Sequence, residues 1–170
     1  MAFSSNLNKL RSSIVAVLSS ANKTFPKLST IKCSRMPVRF LLKDCKPEMP
    51  LRVVVNEFGT WQRVVAKFLQ RGLTCLHVNG SLLLRNFEEL VNELGSFHGK
   101  TVTMLSLNIK DLYYSLELAI LMKRVSELIE CQLCSFQTTS GLSCSDFLRV
   151  LELYLTSTAI EVDNCMFVQK

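Results

Sequence analysis

Apolar positions along this chain change rhythm several times, and each change predicts an element. Leu51-Arg52-Val53-Val54-Val55-Asn56 is a β-branched run closed by Gly59, which predicts a strand. Thr60 then stands where a helix cap belongs. Trp61, Val64, Val65, Phe68, Leu69 and Leu73 recur every three or four residues behind it, so an amphipathic helix is predicted to end between Gly72 and His77. Asn86 opens a second helical pattern, with Phe87, Leu90, Val91 and Leu94 on one face and Gly95 as its stop. Residues 101–109 alternate apolar with small polar side chains and predict a second strand with one face in a core. Leu118, Leu121, Met122, Val125, Leu128 and Ile129 predict a helix over 116–133, and Ser143 or Ser145 begins another through Phe147, Leu148, Leu151 and Leu155. Ala159-Ile160-Glu161-Val162 and Met166-Phe167-Val168 flank the turn pair Asp163-Asn164 and predict a closing hairpin. The fold class expected is α+β.

Charge divides the chain more sharply than apolarity does. The net charge is +6, yet the first 43 residues hold eight Lys and Arg and no acid, leaving 12 basic against 14 acidic residues over 44–170, a balance of −2. The basicity therefore belongs to the amino-terminal stretch, which suits an anionic partner or a targeting peptide better than a uniformly basic surface does. With 48% hydrophobic residues and no internal repeat, the expected organisation is a basic arm over 1–36 followed by one domain over 37–170.

The seven cysteines are odd in number, scattered and mostly embedded in apolar stretches, which predicts reduced, buried thiols and an intracellular, cytoplasmic or nuclear protein. Cys131-x-x-Cys134 with Cys144 falls short of the four ligands of structural zinc, and neither His77 nor His98 completes it at a regular spacing, so no metal is expected there. No apolar run reaches the roughly 18 residues that span a bilayer, and no membrane partner is expected. The Ser-rich, acid-free start is also how a mitochondrial transit peptide reads, which keeps a mitochondrial or scaffold α+β protein as the alternative.

Two stretches go beyond fold class. Lys43-Asp44-Cys45-Lys46-Pro47-Glu48-Met49-Pro50-Leu51-Arg52-Val53-Val54-Val55-Asn56 resembles the Lys-x-His-Lys-Pro…Pro-Leu-Arg-Pro-Ile-Val segment in the fingers of reverse transcriptases from Penelope-like and related retroelements. Phe58-Gly59-Thr60-Trp61-Gln62-Arg63-Val64-Val65-Ala66-Lys67-Phe68-Leu69 is similar to the helix that follows it in that family, and Cys45 replaces the family's His. The resemblance implies that Lys43, Lys46 and Arg52 meet the incoming nucleotide, because cations on a rigid strand offset triphosphate charge. The bland alternative for these residues is a solvated basic loop beside a core strand.

The second stretch, Leu105-Ser106-Leu107-Asn108-Ile109-Lys110-Asp111-Leu112-Tyr113-Tyr114-Ser115-Leu116, resembles motif A of the palm. Its essential carboxylate, which in the family binds both Mg²⁺ ions, falls on Asn108, whose neutral amide cannot bridge two cations. Asp111 is the weaker candidate to rescue the site, and Tyr113 falls on the family's steric-gate aromatic, with an ordinary buried tyrosine as the equal alternative. The similarity continues through Phe147-Leu148, Leu151 and Tyr154-Leu155 to the final residues, ahead of the Gly-rich motif B and the Asp-Asp of motif C. The resemblance thus implies a partial right-hand polymerase fold, fingers and first part of palm, with Mg in the intact family and none bound here. The expected protein is a pseudoenzyme: a catalytically inactive fragment that binds RNA or DNA template–primer weakly and self-associates through unpaired palm strands. A longer transcript carrying motifs B and C would restore the domain.

Overall fold

A computed structural model describes the chain except positions 1, 32, 34, 43–48, 50, 79–83, 85, 100, 102, 104, 108, 110, 111, 163, 164, 169 and 170. In chain order the elements are α1 (Ala2–Ser20), α2 (Pro26–Thr30), β1 (Val38–Leu42), β2 (Leu51–Val55), α3 (Trp61–Thr74), α4 (Phe87–Gly95), α5 (Leu112–Ser115), α6 (Leu118–Cys131), α7 (Leu133–Ser140), α8 (Cys144–Leu155), β3 (Ala159–Val162) and β4 (Cys165–Val168). Helices and strands mix, so the class is α+β.

Helix ends follow local chemistry. The Ser143 hydroxyl accepts from the Asp146 backbone N–H at 3.1 Å and fixes the start of α8, and Asn86 Oδ1 accepts from the Glu89 N–H at 2.8 Å to start α4. Thr60 does hold the cap position of α3, but its hydroxyl donates to the Glu57 carbonyl at 2.8 Å instead of capping. At the end of α1, Asn22 adopts a positive φ of 57° and the Lys23 N–H returns to the Leu18 carbonyl at 2.8 Å, a left-handed closure that turns the chain into α2.

The core lies among the helices. Ile14 and Leu18 of α1 and Leu28 of α2 are buried together with Trp61, Val65 and Leu69 of α3, so the acid-free stretch supplies core side chains as well as charge. Phe147 of α8 stands at the centre, edge to face with Phe136 of α7 at 4.8 Å between ring centroids. Gly72 lets α3 approach it: a Cβ at that position would lie 2.6 Å from Phe147 Cε2, which explains a helix-weakening glycine inside a helix. At one edge the Tyr154 hydroxyl donates to Glu57 Oε1 at 2.6 Å, tying α8 to the turn that precedes α3.

The strands form two separate antiparallel pairs, β1 with β2 and β3 with β4, joined by a parallel bridge between Met36 and Ile160. The closing hairpin has the expected place, with its Asp163-Asn164 turn outside the described residues. The partner of β2 went unforeseen, although Val38 to Leu42 follows Pro37 as an apolar run.

Two expectations are corrected. None of the described residues among 101–109 is in a strand; Leu105 is 81% exposed and Leu107 83% exposed. Alternation makes a strand only when a neighbouring backbone accepts its hydrogen bonds and a core accepts its apolar face, and neither stands beside this segment among the described residues. The helix foreseen over 116–133 is present as α6, and α7 follows it on to Ser140. The thiols expected to be buried are mostly not: Cys33, Cys131, Cys134 and Cys165 are exposed, because the apolar stretches that hold them turn other residues to the core.

Candidate nucleic-acid interface

Of the residues that the sequence put forward for nucleotide chemistry, Lys43, Lys46, Asn108 and Asp111 lie outside the described residues. Tyr113 falls within α5, a four-residue helix. Arg52 is described fully: it sits in β2, exposed, directly opposite Leu41 of β1. Residues facing each other across an antiparallel pair share a face, and faces alternate along it. Arg39 and Arg52 therefore lie diagonally on one face, roughly 7 Å apart by the usual spacing of such pairs. The opposite face is wholly apolar, with Val38, Phe40 and Leu42 against Val55, Val53 and Leu51. Most of that apolar face is open to solvent.

A second cationic surface was not foreseen. α1 hands the chain to α2 through Lys23, and α2 packs against α3, leaving between them a cleft of about 550 Å³. Lys23 and Lys27 contribute to its lining from the α2 side, Arg63, Lys67 and Arg71 from α3, and no carboxylate takes part. The α3 cations follow each other at four-residue intervals, so they form one stripe about 12 Å long on a helix that rises 1.5 Å per residue. Phe25 and Phe68 lie among them in the wall, ring edge to ring face at 5.3 Å. Gly59 and Thr60 bring in the amino-terminal end of α3, where backbone N–H groups carry partial positive charge and the first turn has no acid. The Lys23 ammonium rests over Gly141, at the negative end of α7.

Three basic side chains outside the cleft have acidic partners: Arg35 pairs with Glu161, Arg124 with Glu127 and Arg149 with Glu152. Among the described residues none of the five cleft cations has such a partner. Like charges at four-residue spacing cost a helix about 0.2–0.5 kcal/mol per pair, so three in a row without an acid is an arrangement that an external anion would relieve. That spacing was visible in the sequence. Alone it points to no site, because Arg63, Lys67 and Arg71 occupy the polar positions of an amphipathic helix, where charge is ordinary. Only the packing of α2 across from them turns a charged face into a concave site.

Among the described residues no group of three or more His, Cys, Asp or Glu side chains could hold a metal ion, and no helix is long and apolar enough to cross a membrane. Compared with protein-family models, curated proteins and solved structures, the chain matches none.

Proposed function

We propose that this chain is a catalytically silent module of reverse-transcriptase descent whose remaining activity is to bind nucleic-acid phosphates. The observation that carries the binding is the cleft: five cations converge on one concavity without a carboxylate. Lys and Arg gathered in this way neutralise phosphates and release their counterions, the main source of affinity in sequence-independent binding. Arg39 and Arg52 offer a further pair of cations on one face of the β1–β2 hairpin. Descent is supported by the Lys43 to Asn56 and Leu105 to Leu116 stretches, and silence by Asn108 at the position of the motif A acid.

Binding is tested by titrating labelled RNA or DNA against the chain at two salt concentrations. If five phosphates are neutralised, affinity for a single strand falls about a hundredfold between 50 and 200 mM salt. Lys67→Glu with Arg71→Glu should abolish binding at the lower salt while leaving the folded state intact, since both side chains are exposed. Absence of nucleic-acid affinity at either salt would remove the proposal. Primer extension with Mg²⁺ by the purified chain should yield no product, and measurable DNA synthesis would refute the role given to Asn108.

Self-association belongs to the same reading. The six apolar residues on one face of the hairpin leave a hydrophobic surface that a second copy could cover, and the outer edge of a two-stranded pair offers unpaired backbone groups. Size-exclusion chromatography should show species larger than a monomer, growing with protein concentration.

A further inference from the structure

Resting on that reading, we infer that the cleft between α2 and α3 selects single-stranded nucleic acid over duplex. Its two cationic walls face each other across a space of about 550 Å³, which admits one sugar-phosphate backbone with an unpaired base but not a paired helix. The stripe from Arg63 to Arg71 covers about 12 Å, room for about two successive phosphates of an extended single strand, whose charges stand farther apart than the 3.4 Å axial spacing within a duplex.

A stacking platform adjoins the charge. Phe58 is 71% exposed, next to Gly59 of the cleft lining, and Arg63 holds its guanidinium 5.0 Å from the Phe58 ring centroid. One ring face is thereby braced by a cleft cation, and the side chain remains largely open to solvent. An unpaired base entering with its phosphate toward Arg63 and Lys67 meets that ring. A base held in a duplex presents no free π-face to it. Positive grooves that follow a backbone and stack bases on aromatic side chains are the general means of holding single strands without reading sequence.

The test is fluorescence anisotropy on the full chain with labelled oligo-uridine, oligo-thymidine and a blunt duplex of the same length, all at low salt. Both single strands should bind at least about tenfold more tightly than the duplex. Phe58→Ala should weaken single-strand binding by about tenfold, the loss typical of one stacked base, and leave duplex affinity unchanged. Phe58→Tyr should restore it, which separates stacking from any effect on folding. Equal affinity for single strand and duplex would overturn the selectivity while leaving phosphate binding in place, and so would a Phe58→Ala variant that binds single strands as well as the parent does. No binding to any of the three probes would overturn both.

Discussion

In α3 the apolar residues Trp61, Val65 and Leu69 are exposed by 2% or less, whereas in α4 the stripe of Phe87, Leu90, Val91 and Leu94 has no buried member and Phe87 is 75% exposed. Both helices carry the same three- and four-residue rhythm, and α4 has the better cap. Local signals therefore form a helix in each case, and what separates the two is the presence of a partner. Opposite α3 stand α2, α7 and α8, with Phe147 filling the space beside Gly72. From α4 to α5 no described residue is buried, and Leu105, Leu107 and Ile109 are open to solvent. A pattern in sequence states which face would be buried; burial itself belongs to the tertiary level.

The largest effect should come from emptying the packed region. Phe147→Ala removes a fully buried ring that contacts both Phe136 and Phe68. The expected loss is about 3–5 kcal/mol, a large part of the stability of an ordinary domain, read as a lower urea midpoint. A loss below about 1 kcal/mol would mean that α8 is no better packed than α4, and the contrast would fail.

Gly72→Ala sharpens the same contrast from the other direction. On an open helix this change stabilises by about 1 kcal/mol, but here the new methyl meets the Phe147 ring, and overpacking costs about 1–3 kcal/mol. A net destabilisation of up to about 2 kcal/mol is expected from thermal unfolding. Stabilisation instead would show that α3 and α8 have room between them. Locally Gly72 reads as the place where the helix stops; its packing role needs a residue 75 positions away.

That distinction runs through the whole molecule. Elements whose cause is local were legible: β2, α3, α4 and α8 follow from β-branched runs, three- and four-residue spacing and Asn or Ser caps. Elements that need a distant partner were not. The 101–109 strand failed among the described residues for want of a neighbour, and the cleft stayed hidden because Lys23 and Lys27 lie some 40 residues from Arg63, Lys67 and Arg71 in the chain. Arg52 lies in the strand that its β-branched neighbours predict, and Lys43, Lys46, Asn108 and Asp111 lie outside the described residues.

Tyr154 offers a pH test at the edge of the packed region. Burial first, then the hydrogen bond to Glu57 and its negative charge, push the phenol well above its ordinary value of 10.0. A raised value in the folded state means that the unfolded chain gives up this proton first. Stability from the group is thus complete below about pH 10 and lost progressively above it. Unfolding midpoints of the parent chain should fall more steeply above pH 10 than those of Tyr154→Phe, and parallel curves would mean that neither the burial of the phenol nor its Glu57 contact is kept in solution.

The smallest effect is expected where α4 faces water. Phe87→Ser should alter stability by no more than about 0.5 kcal/mol, because an exposed ring has little burial to lose. The measurement is informative at two protein concentrations. A loss near 2 kcal/mol that appears only at the higher one would mean that the Phe87, Val91 and Leu94 stripe is covered by a second copy, and the difference between α3 and α4 would then be one of assembly: the partner that α3 finds within the chain, α4 would find outside it.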